Sequence, residues 1–198
     1  MSRIIIDGDV FKTVQKTLGL YVRKQYGTDD ILNRILYEVK DHICTTVALD
    51  GYTMAVLQFA VTLGSNCSFS LPVIKPNKGL FFAEIDTESM SVFQHGLAVT
   101  TEYIQPVKGT FTNYTGVLDR VREKLLDKST VLQNVDCFDP EYIERVGKAF
   151  KATGIKHVFE FFAGNNIEAS VFTGSNKQYV LTVMVLPIRT DKLKDIRF

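Results

Sequence analysis

The sequence predicts an α+β fold that combines antiparallel β-sheets with two repeated strand–helix units. The first observation is that a strand–helix segment near the N-terminus has a second copy, with Asp139 lying 132 positions after Asp7. The second is that most of the remaining chain consists of short runs of β-branched and aromatic residues separated by turn signals. The third is that a long run of such strands separates the two helices, which favours segregated helices over alternating β–α units.

Both copies of the repeat carry an aspartate before the helix and an acid two residues later, namely Asp7 and Asp9, then Asp139 and Glu141. The apolar residues that follow share one spacing, which at about 100° per residue covers one quadrant of a helix. They are Val10, Phe11, Val14 and Leu18, then Tyr142, Ile143, Val146 and Phe150. We therefore expect Val14 and Val146 to be buried against a β core, and Lys16 and Lys148 to be exposed.

The strands are expected, in chain order, at residues 31–40, 43–49, 52–63, 67–73, 79–86, 90–94, 97–104, 157–163, 167–173 and 179–186. Asp50-Gly51 is a strong hairpin signal between two of them. Gly174-Ser175-Asn176 is interpreted in the same way as a turn before the last strand.

Two segments are interpreted as connections. Residues 72–79 contain two prolines, and residues 119–128 contain seven charged side chains. Val117, Val121 and Leu125 have helical spacing, so we expect a short amphipathic helix in a largely solvated connector. The resulting division is 1–107, a connector at 108–130, and 131–198.

Composition narrows the function classes only slightly. The chain has 198 residues, a formal net charge of +1 and three cysteines, Cys44, Cys67 and Cys137. An odd number of widely spaced cysteines is typical of free thiols in a reducing compartment. The sequence contains neither a signal-peptide pattern nor an apolar run of about 20 residues, so we expect a cytoplasmic protein without membrane association.

Catalytic and metal-binding patterns are absent from the sequence. The three histidines, His42, His95 and His157, do not have metal-ligand spacing with cysteines or carboxylates. The chain also lacks a phosphate-binding glycine loop and a nucleophile elbow. We expect a non-enzymatic protein with neither a cofactor nor a metal; a small enzyme on an unfamiliar β scaffold remains a minor alternative.

Several segments, taken in order, resemble the bacterial DNA sliding clamp, the β subunit of the replicative polymerase. Residues 31–38 are similar to the second strand of the clamp's middle domain, and residues 47–55 to its Ala-Thr-Asp-Gly-His-Arg-Leu-Ala turn. Val73–Gly79 resembles the family's Val-Pro-Arg-Lys-Gly segment, and Gly109–Leu118 resembles Gly-Arg-Phe-Pro-Asp-Tyr with the Val-Leu that follows it. Phe138–Ile143 resembles Phe-Asn-x-x-Tyr-Leu of the last domain, and Met184–Arg189 resembles the terminal Val-Met-Pro-Met-Arg. The resemblance implies a DNA-clamp-like fold.

The departures from the family predict a shortened form. A clamp domain would run into its second helix after Lys78-Gly79, whereas here strand residues resume at once. Only the charged connector precedes Val131, so the first half of the last domain is absent. We expect a middle domain lacking one helix, followed by half a domain, and we do not assume the usual dimeric ring.

The resemblance implies an apolar pocket that binds short peptide motifs of polymerases and repair proteins. The matching positions are Leu32, Leu49, Met54, Val117, Met184, Leu186, Pro187 and Ile188. Methionine adapts to varied partners, which suits such a pocket. The alternative is that these are ordinary core residues. Two family positions differ, because His-Arg is Tyr52-Thr53 here and the proline after Phe111 is Thr112.

The second expected surface is a positive, sequence-independent lining that faces duplex DNA. Its candidates are Lys12, Lys16, Arg23 and Lys24 in or after the first helix, and Arg145, Lys148 and Lys151 in the second. The alternative is a generic solvated helix face.

Two functions follow from the resemblance. One is a clamp of bacterial or phage type that self-associates, docks peptide motifs of replication proteins and touches or encircles DNA. The other is an adaptor or competitor that keeps the peptide pocket without loading on DNA.

The tail of the chain is a further candidate site. Its apolar residues would cap the pocket by mimicking a partner peptide, namely Leu193, Ile196 and Phe198. The alternative is a frayed, solvated terminus.

Overall fold

The computed structural model describes residues 3–23, 31–89, 91–96, 100–103, 113–126, 138–161 and 169–187. The first part contains β1 (Arg3–Asp7), α1 (Gly8–Leu18), a 3-10 turn (Ile31–Asn33), β2 (Arg34–Lys40), β3 (Ile43–Leu49), β4 (Thr53–Ala60) and β5 (Cys67–Pro72). It continues with β6 (Leu80–Asp86), β7 (Ser91–Gly96) and β8 (Thr100–Tyr103). The remainder contains α2 (Tyr114–Leu126), α3 (Pro140–Thr153), β9 (Phe159–Phe161), β10 (Ser170–Ser175) and β11 (Val180–Val185).

The strands form two sheets, and every described pairing is antiparallel. The smaller sheet has the order β1-β6-β7-β8, and the larger has the order β5-β2-β3-β4-β11-β10-β9. The predicted α+β class is therefore confirmed. The larger sheet joins strands from both ends of the chain, because β4 pairs with β11 and places Met54 opposite Met184.

One core connects α1, α3 and the inner faces of both sheets. Val14 is fully buried and Val146 nearly so, whereas Lys16 and Lys148 are exposed, as the repeat predicts. The two helices also pack against each other. The copies are not equivalent everywhere, because Ile143 is 40% exposed. Both repeated helices thus turn one apolar face to the same core.

The aspartates of the repeat cap the two helices. The Asp7 carboxylate accepts hydrogen bonds from the backbone N–H of Asp9 at 2.9 Å and Val10 at 3.2 Å. The Asp139 carboxylate accepts one from the N–H of Glu141 at 2.8 Å. Each bond satisfies a donor that has no partner within its helix. The strand expected before the second helix falls mostly at residues 134–137, which lie outside the described residues.

Gln15 fixes α1 to the larger sheet and to the segment after β5. Its amide donates to the Tyr37 hydroxyl at 2.8 Å, and its carbonyl accepts from the Ile74 N–H at 2.7 Å. Residues 73–79 then lead to β6 without a helix, which agrees with the sequence prediction. This arrangement holds residues 73–79 beside α1.

The connector helix is confirmed, whereas some strand limits differ from the sequence expectations, since residues 31–33, expected in a strand, form a 3-10 turn. The helix expected in the connector begins at Tyr114, where the Asn113 carboxamide accepts from the Gly116 N–H at 3.1 Å. β10 includes Gly174, which the sequence places in a turn. A Cβ at this position would lie 2.6 Å from the His157 carbonyl oxygen, so the glycine reflects a close backbone approach. Across the described parts of the chain, we find no helix long and apolar enough to cross a membrane.

Candidate docking pocket and basic groove

The outer face of the larger sheet carries a second, smaller apolar cluster. It contains Leu36, Val47, Met54, Val56, Tyr114, Ala169, Val171 and Met184. The first turns of α2 cover part of it through Tyr114 and Leu118. The Tyr114 hydroxyl donates to the Glu38 carboxylate on β2. Burial and this carboxylate together raise the pKa of Tyr114.

Beside α2 the outer face forms an apolar cavity of about 180 Å³, which we call the docking pocket. It is lined by Leu49, Gly51, Tyr52, Thr53, Met54, Val117, Ala169, Met184 and Leu186. The sheet register explains part of this grouping, since Leu49 lies opposite Met54 and Met54 opposite Met184. The Leu186 N–H donates to the Tyr52 carbonyl at 2.9 Å, which holds the chain after β11 against the β3–β4 turn.

Five of the eight predicted pocket residues, namely Leu49, Met54, Val117, Met184 and Leu186, therefore line one cavity. Leu32 is half-buried outside the lining, and its carbonyl accepts from the Arg23 N–H at 2.8 Å. Pro187 is half-buried and also outside the lining. Ile188 lies outside the described residues, as do the tail residues Leu193, Ile196 and Phe198.

Ala169, Gly51, Tyr52 and Thr53 line the pocket although they were not among the predicted pocket residues, and Tyr52-Thr53 had been noted only as a departure from the family's His-Arg. Gly51, Tyr52 and Thr53 lie between the predicted Leu49 and Met54, so their position in the sequence could have identified them as pocket residues. Ala169 precedes β10, and only the strand pairing of β10 with β11 brings it near Leu186.

A charged cleft of about 530 Å³ lies on the other side of Tyr52. It is lined by Leu20, Val22, Arg23, Asp50, Tyr52, Glu141, Glu144, Arg145 and Lys148. Tyr52 is 59% exposed and belongs to both linings. Its ring stacks on Tyr142 with 6.1 Å between centroids. Burial, with a smaller contribution from Asp50, raises the pKa of Tyr142.

The basic residues predicted to face DNA fall into different environments. The Arg145 side chain is only 23% exposed, and its guanidinium contacts Asp50 Oδ2 at 2.7 Å and Glu141 Oε1 at 2.6 Å. Arg23 also lines the charged cleft, where its guanidinium lies 3.5 Å from the Asp50 carbonyl. On α3, Lys148 pairs with Glu144 at 2.8 Å, and Lys151 is exposed. Lys24 lies outside the described residues.

Lys12 and Lys16 line a shallow groove of about 530 Å³ between α1 and residues 73–79, which we call the lysine groove. Lys75 and Lys78 line it as well, although the sequence did not place them on this surface. Lys12 pairs with Asp9 at 2.9 Å, whereas Lys16, Lys75 and Lys78 are exposed. The groove lining contains four lysines and no acidic residue. It is therefore suited to an anionic ligand.

Within the described ranges, no cluster of three His, Cys, Asp or Glu residues could hold a metal ion. His95 Nε2 lies 3.1 Å from Glu84 Oε2, and Arg3 contacts the other Glu84 oxygen at 3.0 Å.

The fold is similar to solved structures of bacterial sliding clamps. The β chain of DNA polymerase III from Streptococcus pneumoniae matches with a TM-score of 0.69 at 12% identity, over 96% of this chain and 65% of that one. The sliding clamp of Bacillus subtilis matches with a TM-score of 0.67 at 13% identity, over 95% and 64%. A ligand-bound clamp from Pseudomonas aeruginosa gives 0.67 at 14% identity, over 96% and 67%.

No protein-family model matches the sequence, and neither does any curated protein. The TM-scores of 0.67–0.69 establish a common fold, whereas identities of 12–14% leave any activity to be argued from the site. The chain spans slightly less than two thirds of the first two clamps. It therefore has the fold of the bacterial DNA sliding clamps over about two thirds of their length.

Proposed function

We propose that this protein is a non-enzymatic, clamp-like protein of bacterial or phage type that docks short peptide motifs of replication or repair proteins. The observation that carries the proposal is the docking pocket itself. Residues from four separated segments converge on one apolar cavity, and five of them occupy positions that the family resemblance assigns to a peptide site. A cavity with few polar groups suits aliphatic and aromatic side chains of a partner peptide.

The exposure of Leu186 also supports docking. This residue is 39% exposed at the rim of the pocket, although it directly follows the fully buried Val185. A large apolar side chain at the rim can be covered by a bound peptide, which would remove it from water. Met54 and Met184 form the floor, and their flexible side chains can adapt to different partners.

The test is binding of a fluorescein-labelled peptide ending in Leu-Phe, measured by anisotropy. Leu186→Ala should weaken binding at least about fivefold, since truncating a contact residue at an interface commonly costs about 1 kcal/mol. The matched control is Leu63→Ala, because Leu63 is 54% exposed on a different surface. Failure of the unmodified protein to bind the peptide, or equal losses in both variants, would contradict the docking function.

The lysine groove favours duplex DNA as a second ligand of the same protein. The four lysines of the lining, of which Lys12 is paired with Asp9, provide a low-specificity positive surface that can contact phosphates without reading bases. Binding is expected to be weak, independent of sequence and steeply dependent on salt. The cytoplasm would be the compartment for both ligands.

Reversing the charge at Lys16 and Lys78 together should reduce DNA affinity and flatten its salt dependence. The slope of log binding constant against log salt concentration should decrease in magnitude by about 0.9 for each phosphate that the variant no longer neutralises. The control reverses Lys156 and Lys177, which are exposed outside the lysine groove. If the protein binds the peptide and fails to bind linear or circular duplex at low salt, the adaptor alternative replaces the clamp.

Ring formation by this chain would require self-association, since it spans slightly less than two thirds of the first two solved clamp chains. We propose a homo-oligomer, and light scattering provides the test. A molar mass equal to the 22.3 kDa chain at micromolar concentration would exclude a stable ring.

A further inference from the structure

Asp50 organises the turn that forms one wall of the docking pocket. Its Oδ1 accepts hydrogen bonds from the Tyr52 N–H at 3.0 Å, the Thr53 N–H at 2.8 Å and the Thr53 hydroxyl at 3.0 Å. This is the local pattern by which aspartate fixes a turn two and three residues onward. Gly51, between them, has φ 99°, so the turn depends on a conformation that few other residues adopt.

The second carboxylate oxygen of Asp50 is held by α3, which lies far away in sequence. Arg145 Nη1 contacts Asp50 Oδ2 at 2.7 Å, and the two side chains are 23% and 12% exposed. An ion pair with this limited exposure is screened by solvent less than a surface pair. The other Arg145 partner, Glu141, is 63% exposed and lies one turn earlier on the same helix.

Arg145 reaches the same turn by a second route. Its guanidinium carbon lies 5.3 Å from the centroid of the Tyr142 ring, and Tyr142 stacks on Tyr52. Tyr52 in turn lines the docking pocket. Arg145 thus contacts both Asp50, which shapes the turn, and Tyr142, whose ring stacks on Tyr52 of that turn.

We propose that Arg145 is a positioning residue for the docking pocket, which holds the Asp50–Thr53 turn in its binding conformation through Asp50 and Tyr142. The proposal rests on the peptide-docking function and changes the role expected for Arg145, which the sequence placed on a DNA-facing surface. The exposed lysines of α1 and α3 have no comparable contact with the pocket wall among the described interactions.

The first measurement needs no ligand. In Arg145→Gln, amide hydrogen exchange at Tyr52 and Thr53 should accelerate about tenfold, because their acceptor loses the partner that orients it. Exchange in β10 and β11 should remain unchanged, which separates local release of the turn from general destabilisation. Unchanged protection at both amides would overturn the proposal, whether or not the protein binds peptides.

The second measurement uses the labelled Leu-Phe peptide. Arg145→Gln and Asp50→Asn should each weaken binding about tenfold, and the double variant should be little worse than either, since both remove one interaction. Arg145→Lys should recover part of the affinity because the charge is retained. The matched control is Glu141→Gln, which removes only the exposed partner and should stay within about twofold of the unmodified protein.

The outcomes separate the two hypotheses. Faster exchange at Tyr52 and Thr53 together with no peptide binding by the unmodified protein would refute docking and retain the structural link. Normal peptide affinity in Arg145→Gln would overturn the positioning role while docking stands. Equal losses in Arg145→Gln and Glu141→Gln would assign the effect to α3 itself, and would also overturn it.

Discussion

The two faces of the seven-stranded sheet are built from the same alternating strands and are covered to different extents. The inner face is sealed by α1 and α3 and belongs to a core that extends into the smaller sheet. The outer face has a smaller cluster, and within the described residues only the first turns of α2 cover it. Neighbouring residues at the end of β11 illustrate the contrast, since Val185 is fully buried and Leu186 is 39% exposed.

If the docking proposal holds, this difference assigns stability and recognition to opposite sides of the same strands. Side chains on the inner face have packed partners on every side, so a substitution there acts on folding. Side chains on the outer face beyond α2 remain open to a cavity, so under the proposed docking function a substitution there should act mainly on peptide binding. The following predictions test this division, beginning with the largest effect.

Val146→Asp should destabilise the protein by about 4 kcal/mol, because it places an unpaired charge in the inner core. Val146 is 6% exposed and packs within the core cluster. The control is Ile143→Asp on the same helix, where the side chain is 40% exposed and the cost should stay below about 1 kcal/mol. Urea unfolding of both variants measures the difference, and equal costs would contradict the assignment of the two helix faces.

High pH should lower the free energy of unfolding through two buried tyrosines of the inner core. Burial raises the pKa of Tyr37 and of Tyr21, so the folded protein keeps both protons where the unfolded chain loses them. This contribution to stability is fully present below about pH 10 and is lost as pH rises, by about 1.4 kcal/mol per pH unit for each tyrosine.

Tyr37→Phe provides the control for this pH effect. In this variant the unfolding free energy should fall less steeply with pH above pH 10, by about 1.4 kcal/mol per pH unit, because unfolding releases one proton fewer. Urea unfolding between pH 9 and 11 is the measurement. An unchanged slope would indicate that Tyr37 ionises equally in the folded and unfolded states.

Tyr114→Phe should have the smallest effect on stability, about 1–2 kcal/mol, by removing the hydrogen bond to the Glu38 carboxylate. This bond holds α2 over the outer face. The variant should therefore reduce the free energy of binding to the labelled peptide by more than it reduces the free energy of unfolding. Glu38→Gln keeps an acceptor and should cost less. Thermal unfolding and anisotropy together provide the readout, and a destabilisation larger than that of Val146→Asp would contradict the division between the faces.

The sequence predicted those features that depend on local pattern. The helices that follow Asp7 and Asp139, the burial of Val14 and Val146 and the Asp50-Gly51 turn all follow from short spacings. The grouping of Leu49, Met54, Val117, Met184 and Leu186 came from the family resemblance, because periodicity alone cannot bring three separated segments together.

The features that were missed depend on approach between distant segments. The Arg145–Asp50 pair spans 95 positions, so helix periodicity could assign Arg145 to a face without revealing its partner. Gly174 has the composition of a turn, but pairing with Leu181 places it in β10, and the close His157 carbonyl explains why the residue is a glycine. Lys75 and Lys78 join Lys12 and Lys16 because Gln15 holds residue 74 against α1.

The pairing of β4 with β11 has a consequence for biosynthesis. Gln58 lies opposite Val180, so the middle of the larger sheet closes only after most of the chain has left the ribosome. Until then β4 presents a row of unpaired backbone groups to other nascent chains. Contacts this distant in sequence form slowly, and an open strand edge promotes aggregation in the meantime. Efficient production of this protein should therefore depend on chaperones that shield β4 during translation.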